Sequence, residues 1–299
     1  MKLDERVKKD LSELYNGGNT PGEIQCAVEL EGLIAAKPGQ TSFATKALPG
    51  YYAGNRKADT VLVMLNPGMS VCEANCRLMY DIERYSMKDA NDIENYHQCC
   101  ANYGYIDKSR LDNFDLKQAF FLHNWEQTGI ELPIDLRSTM TRKSDMGTLL
   151  KAKEAVLTQK LQLELVPYAS SSFNNINKSK IKLLIPFVET LFDEIFAHER
   201  KYVIFCSHIF VEVFKEYNKE HYEAIKCLDE DPVKGKLLKN KNIIGSCKIV
   251  YISYNNKSIK ALIANTFPHQ ALPNAYHLME KYGDFCYQPK IRNYHPIHD

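Results

Sequence analysis

Long apolar runs are missing from this chain. None approaches the roughly 20 residues that a membrane span needs, and the opening MKLDERVKKDLSEL carries charge where a secretory signal has its apolar centre. A cytoplasmic protein with no membrane partner is expected. Excess charge of either sign is missing too, the net being +1, so any affinity for nucleic acid has to come from local asymmetry rather than bulk charge. A paired set of cysteines is also lacking. The count is nine, an odd number, and a reducing compartment disfavours disulfides. Cys72, Cys76, Cys99 and Cys100 fall close together, with His97 beside the last pair, but their spacing fits no standard zinc or iron–sulfur pattern well. Packing or idle thiols are the simpler reading, and neither a metal nor a cofactor is expected. The chain shows no internal repeat and no low-complexity linker.

What is present suits a globular fold. At 299 residues and 44% apolar content the chain can build a sizeable core. A single α/β domain over 1–299 is expected, with N-terminal helices within 1–57 and an insertion over about 70–160. The unbroken apolar run Val61 to Leu65 suits a strand covered on both faces, as in a parallel sheet. LQLELV (161–166), which again ends in a breaker, and KYVIFC (201–206) read as further strands, and helix-like stretches alternate with them. Helices are expected at about 4–15, at 21–36 with Pro21 in the first turn, at 180–199 around a central proline, and beyond Ser207, a natural N-cap. CKIVYISYNNKSIKALIANTF alternates on both sides of Asn255-Asn256 and predicts a hairpin.

The first buried strand stops on Asn66-Pro67-Gly68. Pro67 pushes Asn66 out of the helical region and offers no N–H, while Gly68 allows a turn that a Cβ resists. Such a turn holds the Asn66 amide at the strand's carboxyl end, the edge where open α/β sheets bind ligands. Polar, breaker-stiffened loops also close two other strands, at Glu164 to Ser172 and at Thr266 to Gln270. Together the three outline a cleft. Glu164 is the acid near these ends, either a candidate base or a solvated strand-end residue.

VLVMLNPGMS, followed about 200 residues later by IANTFPHQALPNAY, resembles the uracil-DNA glycosylase superfamily. Its first motif is a Gly-x-Asn-Pro-Gly or related loop after the first strand, its second a His-Pro-Ser-like loop after the last, and LVPYA looks like the middle strand end of some branches. The resemblance implies an α/β three-layer sandwich with a central, mainly parallel sheet, and a monofunctional DNA glycosylase. It implies that Asn66 orients the attacking water and that His269 donates to the departing base. Pro67, Gly68, Glu164, Tyr168 and Phe173 would surround that base, with Tyr168 or Phe173 as its stacking platform. Gln270, Ala271 and Leu272 lie where the superfamily inserts side chains into the vacated stack. DNA is the expected partner, with no obligate protein partner.

The chain departs from the family pattern at Leu65, where glycine is common, and around His269, which follows Pro268 and precedes Gln270-Ala271. With the long insertion, these departures favour a modified pyrimidine of phage DNA over uracil or a deaminated base. A catalytically inactive binding module of the same fold is a further alternative, and a hydrolase using Cys206, Ser207 and His208 a third. Phosphate contacts are expected from the segment Val233 to Lys260, which holds seven lysines and no Asp or Glu. Lys239, Lys241 and Lys257 are its leading candidates, and Lys178, Lys180 and Lys182 form a second cluster.

Overall fold

The computed structural model describes residues 1–16, 21–76, 92–101, 118, 158–173, 176–222, 224–228, 248–263 and 294–296. His269, Gln270, Ala271, Leu272, Lys239, Lys241 and most of the 70–160 insertion lie outside the described residues.

The chain is an α/β fold. Its strands are β1 (Tyr52–Gly54), β2 (Thr60–Met64), β3 (Leu161–Glu164), β4 (Tyr202–Phe205), β5 (Ile225–Leu228), β6 (Lys248–Tyr254), β7 (Lys257–Ile263) and β8 (Tyr294–Pro296). They hydrogen-bond in the order β1-β3-β2-β4-β7-β6-β5-β8. The sheet is mixed. β2, β4 and β7 run parallel, whereas β7-β6, β6-β5 and β5-β8 are antiparallel. The described helices with full bounds are α1 (Leu3–Tyr15), α2 (Gln25–Glu29), α3 (Ile93–Ala101), α4 (Ile185–Phe196) and α5 (Ile209–Glu220), with a 3-10 helix at Lys178–Leu184. Among the described residues no helix is long and apolar enough to cross a membrane.

Two compact units divide the chain. The first comprises Met1–Ala53, Met64–Tyr105 and Gln162–His198. Its buried residues include Leu3, Val7, Leu11 and Leu14 of α1, Phe43, Tyr51, Tyr168, and Val188, Leu191, Phe192 and Ile195 of α4. The segments that follow β2 and β3 stay paired here: Leu165 and Val166 donate their N–H groups to the carbonyls of Met64 and Leu65, at 3.0 and 2.8 Å.

The second unit comprises Gly54–Val63, Ile106–Leu161 and Glu199–Asp299. Here Val61–Val63 of β2, Val203–Phe205 of β4 and Ala261–Ile263 of β7 are apolar and fully buried, as in strands covered on both faces. Phe205 packs edge-on against Phe210 and Phe214 of α5, with ring centroids 4.9 Å away in each case. Val63 pairs with Phe205 and Phe205 with Ile263, so these three residues share one row across three parallel strands. Asn255 and Asn256 take φ of 47° and 61° between β6 and β7, the left-handed pair that a two-residue hairpin turn demands and that Asn tolerates.

Three helix expectations need correction. The 21–36 helix shrinks to the five residues of α2, and Pro21 lies outside it. The Ile24 N–H is drawn to the Thr45 carbonyl at 2.9 Å, and Gly32 turns left-handed at φ +74°. Glu31 is also taken by Ser42, whose N–H and hydroxyl reach its two carboxylate oxygens at 2.9 and 3.0 Å. The 180–199 helix begins instead at Ile185, with Pro186 in its first turn, because an interior proline would remove a helical hydrogen bond that a first-turn proline never makes. The N-cap of α5 is His208 rather than Ser207, and no side chain caps it; the Ser207 hydroxyl accepts the N–H of Ile209, the first helical residue, at 3.2 Å.

Candidate active site

The first unit brings the ends of β2 and β3 together around Asn66. The side-chain nitrogen of Asn66 donates to Ser170 Oγ at 2.8 Å, the Pro67 carbonyl at 3.0 Å and the Tyr168 carbonyl at 3.2 Å. Two of these acceptors are carbonyl oxygens, which cannot donate, so the amide must turn its nitrogen inward. Its oxygen is then the end left over, and among the described residues no donor meets it. Asn66 itself is half-buried. The Pro67 carbonyl also accepts from the N–H groups of Met69 and Ser170, at 3.0 and 3.2 Å, which closes the turn from inside.

Beneath the turn lies a bed of small apolar side chains, Ala44, Ala47, Val71, Ala74 and Ala169, with Met69 packed on it. Past the turn, Ser70 caps a helical stretch over 71–76, its hydroxyl accepting the Glu73 N–H at 3.3 Å and its carbonyl the Ala74 N–H at 2.9 Å. The arrangement is strand, rigid polar turn, helix start.

Gly68 does not need its glycine freedom: it lacks a positive φ, and a Cβ there would meet nothing within 4 Å. The glycine that matters is Gly50. A Cβ on it would come 2.9 Å from Cγ of Pro67, and its N–H donates to the Pro167 carbonyl at 2.7 Å. Gly50 is braced by its neighbours as well. The Tyr96 phenol of α3 donates to the Pro49 carbonyl at 2.7 Å and accepts the Tyr51 N–H at 3.3 Å.

Tyr168 and Phe173 are not open stacking platforms, which corrects the expectation for both. Tyr168 is 1% exposed, edge-on to Phe187 at 6.1 Å between centroids. Phe173 is 6% exposed and packs against Phe43 at 5.8 Å. An aromatic buried in this way has no ring face to offer a base. Glu164 is buried rather than solvated: its backbone N–H reaches the Tyr51 carbonyl at 3.0 Å, and its carboxylate accepts from Gln162 Nε2 at 2.7 Å.

The Tyr168 phenol leads to an acid that motif reading misses. Asp10 of α1 is 1% exposed, and its Oδ2 accepts the hydroxyls of Tyr51 and Tyr168 at 2.8 and 2.9 Å. Burial pushes its carboxyl up from 3.8 to about 6 against the opposing pull of the two phenols. Burial likewise raises both phenols well above their ordinary value. One signal was available in the sequence: Leu3, Val7, Asp10 and Leu14 fall on one stripe at the i, i+4, i+7, i+11 spacing, so an acid interrupts the apolar face.

The remaining candidates are elsewhere. Lys257 is exposed just past the hairpin turn. Lys180 of the second lysine cluster is spent locally, its ammonium donating to the Glu31 carbonyl at 2.6 Å, while Lys178 and Lys182 are exposed. His97, next to Cys99-Cys100, bridges Tyr52 and Asp4: Nδ1 lies 2.8 Å from the phenol oxygen and Nε2 lies 3.4 Å from Asp4 Oδ1. Cys72 and Cys76 are exposed and Cys100 is buried, and among the described residues no group of three or more His, Cys, Asp or Glu is gathered as for a metal ion. Cys206 is buried beside Ser207, whose hydroxyl accepts the Ile209 N–H. No family model, curated protein or solved structure matches the chain.

Proposed function

We propose that the chain is a monofunctional DNA glycosylase of the uracil-DNA glycosylase type, with the three-layer arrangement of that superfamily, and that it hydrolyses the N-glycosidic bond of a modified pyrimidine in defence against bacteriophage. The observation that carries the reading is the clamped amide of Asn66 at the carboxyl end of β2. Three acceptors take its nitrogen, which leaves an oriented carbonyl oxygen able to accept a hydrogen bond from water.

Base release needs negative charge stabilised on the departing base, positive charge stabilised on the sugar, and a water held below C1′. Asn66 can orient that water but cannot deprotonate it, so most of the barrier has to fall elsewhere. His269 supplies a hydrogen bond where charge develops on the base, a role worth about 2.7–4 kcal/mol for one preorganised donor. Within the second unit Ile263 shares a row with Val63. In the sequence Asn66 follows Val63 by three residues and His269 follows Ile263 by six.

No lysine occurs in Asn66-Pro67-Gly68 or in Thr266 to Gln270, so a Schiff-base intermediate and strand cleavage are not part of the proposal. The bulky base follows from Leu65, the Pro268-His269-Gln270 order and the 70–160 insertion, since pocket shape decides which flipped base is accepted. DNA carrying hydroxymethylated or glucosylated cytosine, uracil-containing DNA and unmodified DNA should be incubated with the protein and treated with alkali to reveal abasic sites. Abasic sites in the modified DNA are expected. Faster release from uracil-containing DNA replaces the antiphage reading with repair, and release from none removes the glycosylase reading.

A further inference from the structure

We propose that Asp10 is a positioning residue for Asn66, acting through Tyr168, which meets Asp10 with its side chain and Asn66 with its backbone. The phenol of Tyr168 donates to Asp10 Oδ2 at 2.9 Å, and the carbonyl of the same residue accepts the Asn66 amide at 3.2 Å. Anything that moves the Tyr168 ring therefore moves an acceptor of Asn66. The inference rests on the reading of Asn66 as the residue that orients water, and it adds a group from the N-terminal helix that no motif contains.

The geometry suits transmission. Tyr168 is 1% exposed and wedged edge-on against Phe187, so its ring cannot swing to absorb a change at its hydroxyl. Asp10 is also 1% exposed, and its second oxygen, Oδ1, is buried without a hydrogen-bond partner among the described residues. Both phenols meet the same oxygen, so the carboxylate charge is answered on one side only. Arg6 stands one turn earlier on α1, but its guanidinium is committed to Thr190 Oγ1, to the Pro186 carbonyl at 2.8 Å and to the Phe187 ring at 4.6 Å. The other titratable groups acting on Asp10 are Glu13 and Lys9 on α1, Cys26 on α2, Tyr51 before β1, and Tyr168.

Ionised, Asp10 grips both phenols through charge-assisted hydrogen bonds. Protonated, it holds them through neutral ones of about half the strength. The tighter grip fixes the Tyr168 carbonyl and with it the orientation of Asn66. Burial raises the Asp10 carboxyl to about 6, so the change falls around that pH.

The test is a nitrogen–proton NMR titration of the Asn66 side-chain amide, assigned by its loss in Asn66→Ala, run beside single-turnover base release across pH 4.5–8. In the unmodified protein the Asn66 cross-peaks should follow the Asp10 carboxyl, and base release should rise roughly five-fold through the same midpoint. Asp10→Asn should flatten both curves. Tyr168→Phe should flatten the Asn66 response while the Asp10 carboxyl carbon still titrates. Tyr51→Phe, which removes a phenol that favours the ionised form, should move the midpoint upward without flattening anything. Asn66 peaks that ignore pH, or follow it equally in Asp10→Asn, overturn the proposal. An Asn66 titration transmitted through Tyr168 with no release from any substrate upholds the coupling and removes only the glycosylase reading.

Discussion

Asp10→Asn offers a quantitative check on the buried acid, independent of any activity. Burial holds the Asp10 carboxyl at about 6 against an ordinary 3.8. At about 1.36 kcal/mol per tenfold change in proton affinity, that rise amounts to roughly 3 kcal/mol. A raised carboxyl favours the protonated folded state. Its contribution is therefore fully present below pH 3.8 and is lost as pH rises through about 6. Because the unfolded chain is already partly ionised at pH 4, about 2.5 kcal/mol of the loss falls between pH 4 and pH 8.

Asparagine cannot ionise, so the substitution removes this dependence. It also places an NH2 where Oδ1 lacks a partner among the described residues, a constant cost of about 1–3 kcal/mol for buried unsatisfied donors. Urea unfolding of both proteins across pH 4–8, with m-values compared at each point, separates the two effects. The unmodified protein should be the more stable at pH 4, and its advantage should shrink by about 2.5 kcal/mol by pH 8. A difference constant within about 0.5 kcal/mol over that range would mean that Asp10 is not desolvated as the two phenols and α1 indicate, and the reasoning fails.

Gly50→Ala should cost about 1–3 kcal/mol by overpacking against Pro67 and should slow base release, whereas Gly68→Ala should stay within about 0.5 kcal/mol; thermal melts of both check the pair, and equal effects would refute the close approach. Asn66→Ala should abolish most base release with DNA affinity within a few-fold, and His269→Ala should slow release more than binding; full activity of Asn66→Ala would leave Asn66 a turn residue only. Replacing Lys239, Lys241 and Lys257 with Glu should weaken binding to all DNA sequences alike and flatten the salt dependence by roughly 1 for each phosphate no longer neutralised; an unchanged slope removes this segment from the interface.

What was legible in the sequence was whatever local pattern decides. β2 and β4 come from short apolar runs, β3 from alternating leucines, and the β6–β7 hairpin follows from two asparagines able to take positive φ. What was illegible depends on partners far along the chain. Asp10 is charged and lies on a helix whose other face is solvated, and only Tyr51 and Tyr168, 41 and 158 residues away, make its burial tolerable. The same distance hid the glycine. Turn chemistry points to Gly68 because it follows Pro67, whereas the close approach is made by Gly50 from an earlier segment. Tyr168 was misplaced for a related reason: an aromatic beside a strand end suits a base platform or a core equally well, and the choice is made by α1 and Phe187. Asn66 combines both kinds of information. Its place at the end of β2 is written in Asn-Pro-Gly, but a strand-ending asparagine is ordinary. Two of the three acceptors that aim its amide come from residues 102 and 104 positions onward, and no pattern local to Asn-Pro-Gly announces them.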